Sequence, residues 1–318
     1  MKPAIAVLGA VWSDEVLARL DEQFNCHKLA RMPAAQRARF METDAGAVRA
    51  ILTTGTVGID AALAAAFPAL EIVSVHGAGL DAVDLDGLAA RGIVVTNTPD
   101  VLTDDVADFA VGLLLAAVRR IPLLDQYVRA GHWVEKRPLL PARSLTGKVA
   151  GIYGYGRIGQ AVGMRLRAFG MHLRYYQRSA GPEPAMRAAS LLELAQQSDV
   201  LVACTPGGAQ TRHALDAAVL AALGPQGTVV NIARGSVVDA RALAELLATG
   251  RLGAAALDVF EEEPDVPAAL LALDNVVLTP HVGSFTVEAR RAMAELAVAN
   301  LSAWFGGKPP LTPVAHPA

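Results

Sequence analysis

Two doubly wound α/β domains with parallel sheets are what this sequence predicts, and three observations predict them. Short apolar runs alternate with Ala- and Leu-rich amphipathic stretches along the whole chain, the pattern of strands joined by crossover helices. A length of 318 residues with 53% hydrophobic content lies where a single core stops growing and a chain splits in two. The alternation also runs twice, with a long helical segment after Asn97-Thr98-Pro99 between the two series.

The first series opens at Ile5-Ala6-Val7-Leu8. The apolar start from Met1 meets Ser13-Asp14-Glu15 early and has no small-residue cleavage site, so it reads as a first strand rather than a leader. Ile51-Leu52, Ile72-Val73-Ser74-Val75 and Ile93-Val94-Val95 continue the series. The helical segment runs from Thr103 to Arg129, is expected to break or kink at Pro122, and reads as a bridge between domains. Its most apolar part, Phe109 to Val118, is about half the length of a bilayer span, so no membrane association is expected. The second series holds Val149-Ala150-Gly151-Ile152-Tyr153, Leu173-Arg174-Tyr175-Tyr176, Val200-Leu201-Val202-Ala203, Thr228-Val229-Val230-Asn231, Ala254-Ala255-Ala256-Leu257 and Val276-Val277-Leu278. Six strands in a row suit a complete Rossmann dinucleotide-binding sheet. A last helix, Val287 to Phe305, lies beyond the sixth strand and is expected to return to the first domain. The expected division is therefore residues 1–98 with 287–318, and residues 99–286. The Pro-rich end from Lys308 reads as an extended tail.

Composition removes several function classes. A formal net charge of −3, with no run of five Lys or Arg, argues against nucleic acid as a partner. Cys26 and Cys204 are the two cysteines; they make no disulfide framework and no zinc-type spacing, so no metal is expected and a reducing cytoplasm fits.

Gly154-Tyr155-Gly156-Arg157-Ile158-Gly159 follows an apolar strand and opens a helix. In that context Gly154 permits the turn, Gly156 admits a pyrophosphate to the backbone, and Gly159 lets helix and strand touch. Arg157 is placed to add a charge-assisted contact, though a solvated arginine is the plain alternative. After the next strand an NAD enzyme would carry an Asp or Glu for the ribose. Here the residues are Gln177-Arg178-Ser179. No carboxylate repels a 2′-phosphate, and Arg178 and Ser179 supply a guanidinium and a hydroxyl for it. The reading favours NADPH, with NADH possible if Arg178 is an ordinary surface residue.

Reduction of a 2-oxo acid needs a cation for the carboxylate, an acid for the developing alkoxide, and a group that keeps this acid protonated. Arg234 in Asn231-Ile232-Ala233-Arg234-Gly235, Glu263 in Asp258-Val259-Phe260-Glu261-Glu262-Glu263-Pro264, and His281 after Leu278-Thr279-Pro280 meet these needs. They follow the fourth, fifth and sixth strands of the second series, at the sheet edge where doubly wound folds bind ligands. A carboxylate beside a histidine favours the imidazolium. Glu261 and Glu262 read as surface residues, Asp258 as an acceptor for the nicotinamide amide, and His76 as the second candidate histidine.

These ordered motifs, with Pro280-His281-Val282-Gly283-Ser284, resemble the D-isomer-specific 2-hydroxyacid dehydrogenase family over nearly the whole chain. The resemblance implies a flavodoxin-like substrate domain beside the Rossmann domain, Arg234 as substrate-binding, Glu263 as the partner of His281, and His281 as acid/base. It implies cofactor contacts at Thr205, Pro206, Ile232, Ala233, Asp258 and Gly283. Val75-His76-Gly77-Ala78-Gly79-Leu80-Asp81 resembles the family's substrate loop, with the N–H groups of Ala78 and Gly79 on the carboxylate. Thr103 resembles a cofactor-facing residue, with a plain N-cap the alternative. Gln177-Arg178-Ser179 is similar to the branch that reduces glyoxylate, hydroxypyruvate and hydroxyphenylpyruvate, and Glu263 disfavours formate oxidation, for which the family's formate dehydrogenases carry Gln. A homodimer is implied, and the region around Trp133 is expected either to reach a partner's site or to serve as packing surface. An NAD-linked dehydrogenase of phosphoglycerate or lactate type, and a dinucleotide-sensing corepressor, stay open as alternatives.

Overall fold

The computed structural model describes residues 2–9, 14–179 and 181–315. The readings at Met1, at Ser13 and at the last three residues of the Pro-rich tail lie outside them. The chain divides into two compact units, residues 1–102 with 285–318 and residues 103–284.

In the first unit the strands are β1 (Ala4–Val7), β2 (Asn25–His27), β3 (Val48–Thr54), β4 (Ile72–His76) and β5 (Val94–Thr96). Its helices are α1 (Asp14–Gln23), α2 (Ala34–Thr43), α3 (Ala61–Ala65) and α4 (Leu85–Ala90). All pairings are parallel, in the order β2-β1-β3-β4-β5, which is the flavodoxin order. β4 is buried along its whole length because helices cover both faces of the sheet, so its residues form an unbroken Ile-Val-Ser-Val run rather than an alternating one. The strand absent from the sequence reading is β2. Its Asn-Cys-His composition carries no apolar signal, and its place at the sheet edge does not demand one.

The second unit holds β6 (Val149–Tyr153), β7 (His172–Tyr176), β8 (Val200–Ala203), β9 (Thr228–Asn231), β10 (Ala254–Leu257) and β11 (Val276–Leu278). Its helices are α5 (Thr103–Val118), α6 (Ile121–Arg129), α7 (Arg157–Ala168), α8 (Leu191–Gln196), α9 (Ala217–Ala222), α10 (Ala240–Ala248) and α11 (Ala268–Leu271). The last helix of the chain, α12 (Val287–Phe305), belongs to the first unit, where the Ser74 hydroxyl donates to the Ala297 carbonyl at 3.0 Å. The long helical segment does break, but at Arg120 in the left-handed conformation; Pro122 lies in the first turn of α6, where its missing N–H costs nothing.

The six strands of the second unit run β11-β10-β9-β8-β6-β7, all parallel. A Rossmann sheet carries a third strand outside its second. Here that strand is reduced to one bridge, between Tyr175 and Arg187. The core beneath holds Leu201, Leu220, Leu243, Leu252 and Ala255, all fully buried; each large aliphatic side chain contributes about 1.5–3 kcal/mol by burial. This packing fixes the carboxyl ends of β8 to β11, so the loops that follow them issue from one rigid edge. Among the described residues no helix is long and apolar enough to cross a membrane.

Candidate active site

β6 runs into Gly154 at φ +94°, where an added Cβ would lie 2.7 Å from the Thr205 nitrogen. That position excludes every side chain on two grounds, conformation and contact. Gly159 meets the turn from the helix side, since a Cβ there would lie 2.1 Å from the Gly154 carbonyl oxygen. Gly156 behaves differently. It is the N-cap of α7, it offers no side chain to the first-turn N–H groups, and a Cβ there would meet nothing within 4 Å. Open space over uncapped N–H groups and the positive end of a helix is the geometry that binds a phosphate. Tyr155 belongs to this loop, while Arg157 and Ile158 are the first two residues of α7. The Tyr155 ring stacks on Tyr175 at 4.4 Å and its hydroxyl donates to Glu183 at 3.2 Å.

The segment after β7 is anchored at Gln177, whose side-chain oxygen accepts from the Tyr155 N–H at 3.1 Å. The glutamine thus braces the glycine loop. Arg178 and Ser179 are exposed, and among the described residues neither side chain makes a hydrogen bond or ion pair. The Arg178 charge reaches Tyr153, whose hydroxyl is raised above its ordinary value mainly by burial and is hydrogen-bonded to Thr205. Pro206 follows, its carbonyl accepting from Thr211 at 2.9 Å.

Three strand ends supply the catalytic candidates. After β9 the fully buried Asn231 brackets the turn, accepting from Ala233 N–H at 3.0 Å and donating to the Arg234 carbonyl at 2.9 Å. Ile232 and Ala233 are buried and Arg234 is half-buried. After β10, Glu263 accepts the Phe260 N–H on one carboxylate oxygen at 3.0 Å and meets the His281 Nδ1 with the other at 2.7 Å. Burial pushes the Glu263 carboxyl up, but the bonds from His281 and Phe260 and the charges of His281 and Arg234 outweigh it, leaving it below its ordinary value. Arg234, Glu263 and His281 therefore share one electrostatic neighbourhood.

His281 itself sits at φ +55°, a region that histidine tolerates better than most residues. Asp258 holds it there. The buried Asp258 carboxylate accepts Thr279 Oγ1 at 2.6 Å, Val282 N–H at 2.9 Å and Gly283 N–H at 2.8 Å, and its carbonyl accepts the His281 N–H at 2.8 Å. With three donors already on it, the carboxylate keeps about one lone-pair position for an outside donor. Its loop-building part is not visible in the sequence.

Glu261 is exposed, as read, and it also ties two loops together. It pairs with Arg212 at 2.6 Å and His213 at 3.1 Å, and the His213 bond leads in holding its carboxyl below the ordinary value. This ties the loop after β8 to the loop that carries Glu263. Glu262 is exposed, as read.

In the first unit, Gly77 stands at φ +142° after β4, donates to Thr98 Oγ1 at 2.9 Å and accepts the Thr98 N–H at 2.9 Å. Asn97 donates to the Ala78 carbonyl at 2.9 Å. The Gly77 and Ala78 carbonyls are thus engaged, while the N–H groups of Ala78 and Gly79 have no acceptor among the described residues. His76 is 4% exposed, and burial, then the Arg290 charge, push it down to about 4. It is neutral near pH 7 and cannot serve there as the proton donor. Thr103 is the first residue of α5 and partly buried. Trp133 is 69% exposed, beside exposed Val134 and Leu140. No His/Cys/Asp/Glu cluster that could hold a metal occurs among the described residues.

Comparison with known proteins gives a consistent result. The family described as D-isomer specific 2-hydroxyacid dehydrogenase, NAD binding domain, matches residues 111–283. A glyoxylate/hydroxypyruvate reductase A of Arabidopsis thaliana is 48% identical over 296 residues, covering 93% of this chain and 94% of the relative. A hydroxyphenylpyruvate reductase of Plectranthus scutellarioides has the same identity and coverage. Among solved structures, an NADPH-dependent glyoxylate/hydroxypyruvate reductase of Sinorhizobium meliloti, in complex with NADP and malonate, is similar with a TM-score of 0.90 and 44% identity, covering 99% of this chain and 98% of that one.

Proposed function

Because the chain belongs to the D-isomer-specific 2-hydroxyacid dehydrogenase family and is an NAD(P)-dependent 2-oxo acid reductase, we propose that it uses NADPH to reduce hydroxypyruvate, glyoxylate or hydroxyphenylpyruvate to the D-2-hydroxy acid. The observation that carries this reading is the 2.7 Å pair of Glu263 and His281 with Arg234 in electrostatic reach. The open cradle at Gly156 fits a pyrophosphate, and the bound dinucleotide supplies the hydride for the ketone carbon. With Nδ1 engaged by Glu263, His281 has Nε2 left to give a proton to the developing alkoxide. Arg234 takes the carboxylate, whose planar geometry its fork matches. The open N–H groups of Ala78 and Gly79 in the first unit suit a carboxylate oxygen. The exposed apolar segment around Trp133 supports a homodimer. NADPH oxidation followed with these three acids tests the proposal, and no turnover with any of them would end it.

Cofactor choice is tested separately. NADPH should be preferred over NADH by at least about tenfold in kcat/KM, or about 1.4 kcal/mol, because Gln177 adds no repulsion and Arg178 adds attraction. Arg178→Ala should weaken NADPH more than NADH. Equal weakening would remove Arg178 from 2′-phosphate recognition.

Glu263 sets a pH prediction. Its carboxyl lies below the ordinary value, so it stays ionised through the neutral range and loses its charge only in acid. Glu263→Gln removes that charge. Activity that depends on the Glu263 carboxylate should fall as pH drops through its lowered value, and Glu263→Gln, already uncharged, should show a lower kcat/KM without that acidic fall. An acidic limb that persists in Glu263→Gln would uncouple the pair.

A further inference from the structure

The 2′-phosphate reading rests on Arg178 and Ser179, two exposed side chains on a short loop. Exposed side chains bind an anion selectively only if the main chain beneath them is fixed. One end of the loop is anchored at Gln177, through its side-chain bond to the Tyr155 N–H. The other anchor is ten residues along the chain. Arg187 pairs with Tyr175 in the single bridge that stands for the third Rossmann strand, and Ala188 N–H donates to the Tyr175 carbonyl at 2.8 Å. From that fixed position one terminal guanidinium nitrogen of Arg187 donates to the Gln177 carbonyl at 3.0 Å and to the Arg178 carbonyl at 3.1 Å. A guanidinium NH₂ has two N–H bonds, and here they span two successive carbonyls of the loop itself.

We propose that Arg187 is a positioning residue for NADPH selectivity. It holds the carbonyls of Gln177 and Arg178 and so leaves the Arg178 side chain and the Ser179 hydroxyl to the 2′-phosphate. The electrostatics act in the same direction. Unengaged carbonyl oxygens beside a phosphate dianion would repel it, and Arg187 both engages them and adds a positive charge. The neighbouring cation Arg167 is paired with Glu183 at 2.9 Å, which leaves it less charge to offer. The sequence reading passed over Arg187 because eight residues separate it from Arg178 and no motif joins them.

This inference rests on the NADPH reading, and the experiment separates the two. Binding of 2′,5′-ADP and 5′-AMP is measured by calorimetry, and of NADPH and NADH by fluorescence, for the unaltered protein and for Arg187→Met, Arg187→Gln, Arg187→Lys and Arg178→Ala. Arg187→Met should weaken 2′,5′-ADP and NADPH by about fivefold or more and leave 5′-AMP and NADH within about twofold. Arg187→Gln, too short to span both carbonyls, should do the same and serves if the methionine variant folds poorly. Arg187→Lys, whose ammonium carries several donors, should keep most of the selectivity. Equal loss for the phosphorylated and unphosphorylated ligands, or no loss, overturns the positioning role. If Arg178→Ala shifts the preference while the Arg187 variants do not, the positioning role alone fails. If Arg178→Ala shifts nothing, the NADPH reading fails and the positioning role with it.

Discussion

Replacing His281 by alanine should lower kcat/KM for the 2-oxo acid by about 10²–10⁴-fold, the range typical of losing a general acid, with NADPH affinity close to that of the unaltered enzyme. The expectation follows from how the residue is held. Its backbone N–H is bonded to the Asp258 carbonyl and its Nδ1 to Glu263, so the ring orientation is set before any substrate arrives. Such preorganisation avoids reorganising the donor during the reaction. His76 does not substitute for it, since burial holds that ring neutral with a value near 4. Single-turnover hydride transfer under saturating cofactor, with dinucleotide binding measured in parallel, checks the claim. Activity within a few-fold of the unaltered enzyme would remove His281 from proton transfer.

Arg234→Met should act on the substrate rather than on the cofactor. A charge-assisted bidentate contact to a carboxylate is lost, and about 10²–10³-fold in kcat/KM is expected, much of it as a raised KM for the 2-oxo acid. Arg234→Lys should recover only part, because an ammonium keeps the charge and loses the planar fork. The guanidinium does donate to the Ala233 carbonyl at 2.6 Å, but the turn should survive its loss, since Asn231 separately holds the Arg234 carbonyl and the Ala233 N–H. A KM unchanged in Arg234→Met would end its assignment to the carboxylate. Far-ultraviolet circular dichroism and thermal unfolding show whether the turn is intact.

The sequence by itself determined the features whose signals are local. β/α alternation implies parallel strands, and parallel strands carry every following loop to the same edge, so residues just after the fourth, fifth and sixth strands of the second series could be placed together without coordinates. The glycine spacing is local in the same sense, because turn, helix start and strand contact lie within six residues. β2 escaped notice because an edge strand of Asn, Cys and His has no apolar period to read. Tertiary structure alone decided what depends on partners distant along the chain. Gln177 turns back 22 residues to brace Tyr155, Glu261 reaches across 48 to His213, and Asp258 gathers donors 21 to 25 residues away to hold the His281 loop. In each case a polar side chain with many feasible partners is assigned particular ones by the packing around it, and residue order carries no record of which polar groups folding leaves within hydrogen-bonding distance.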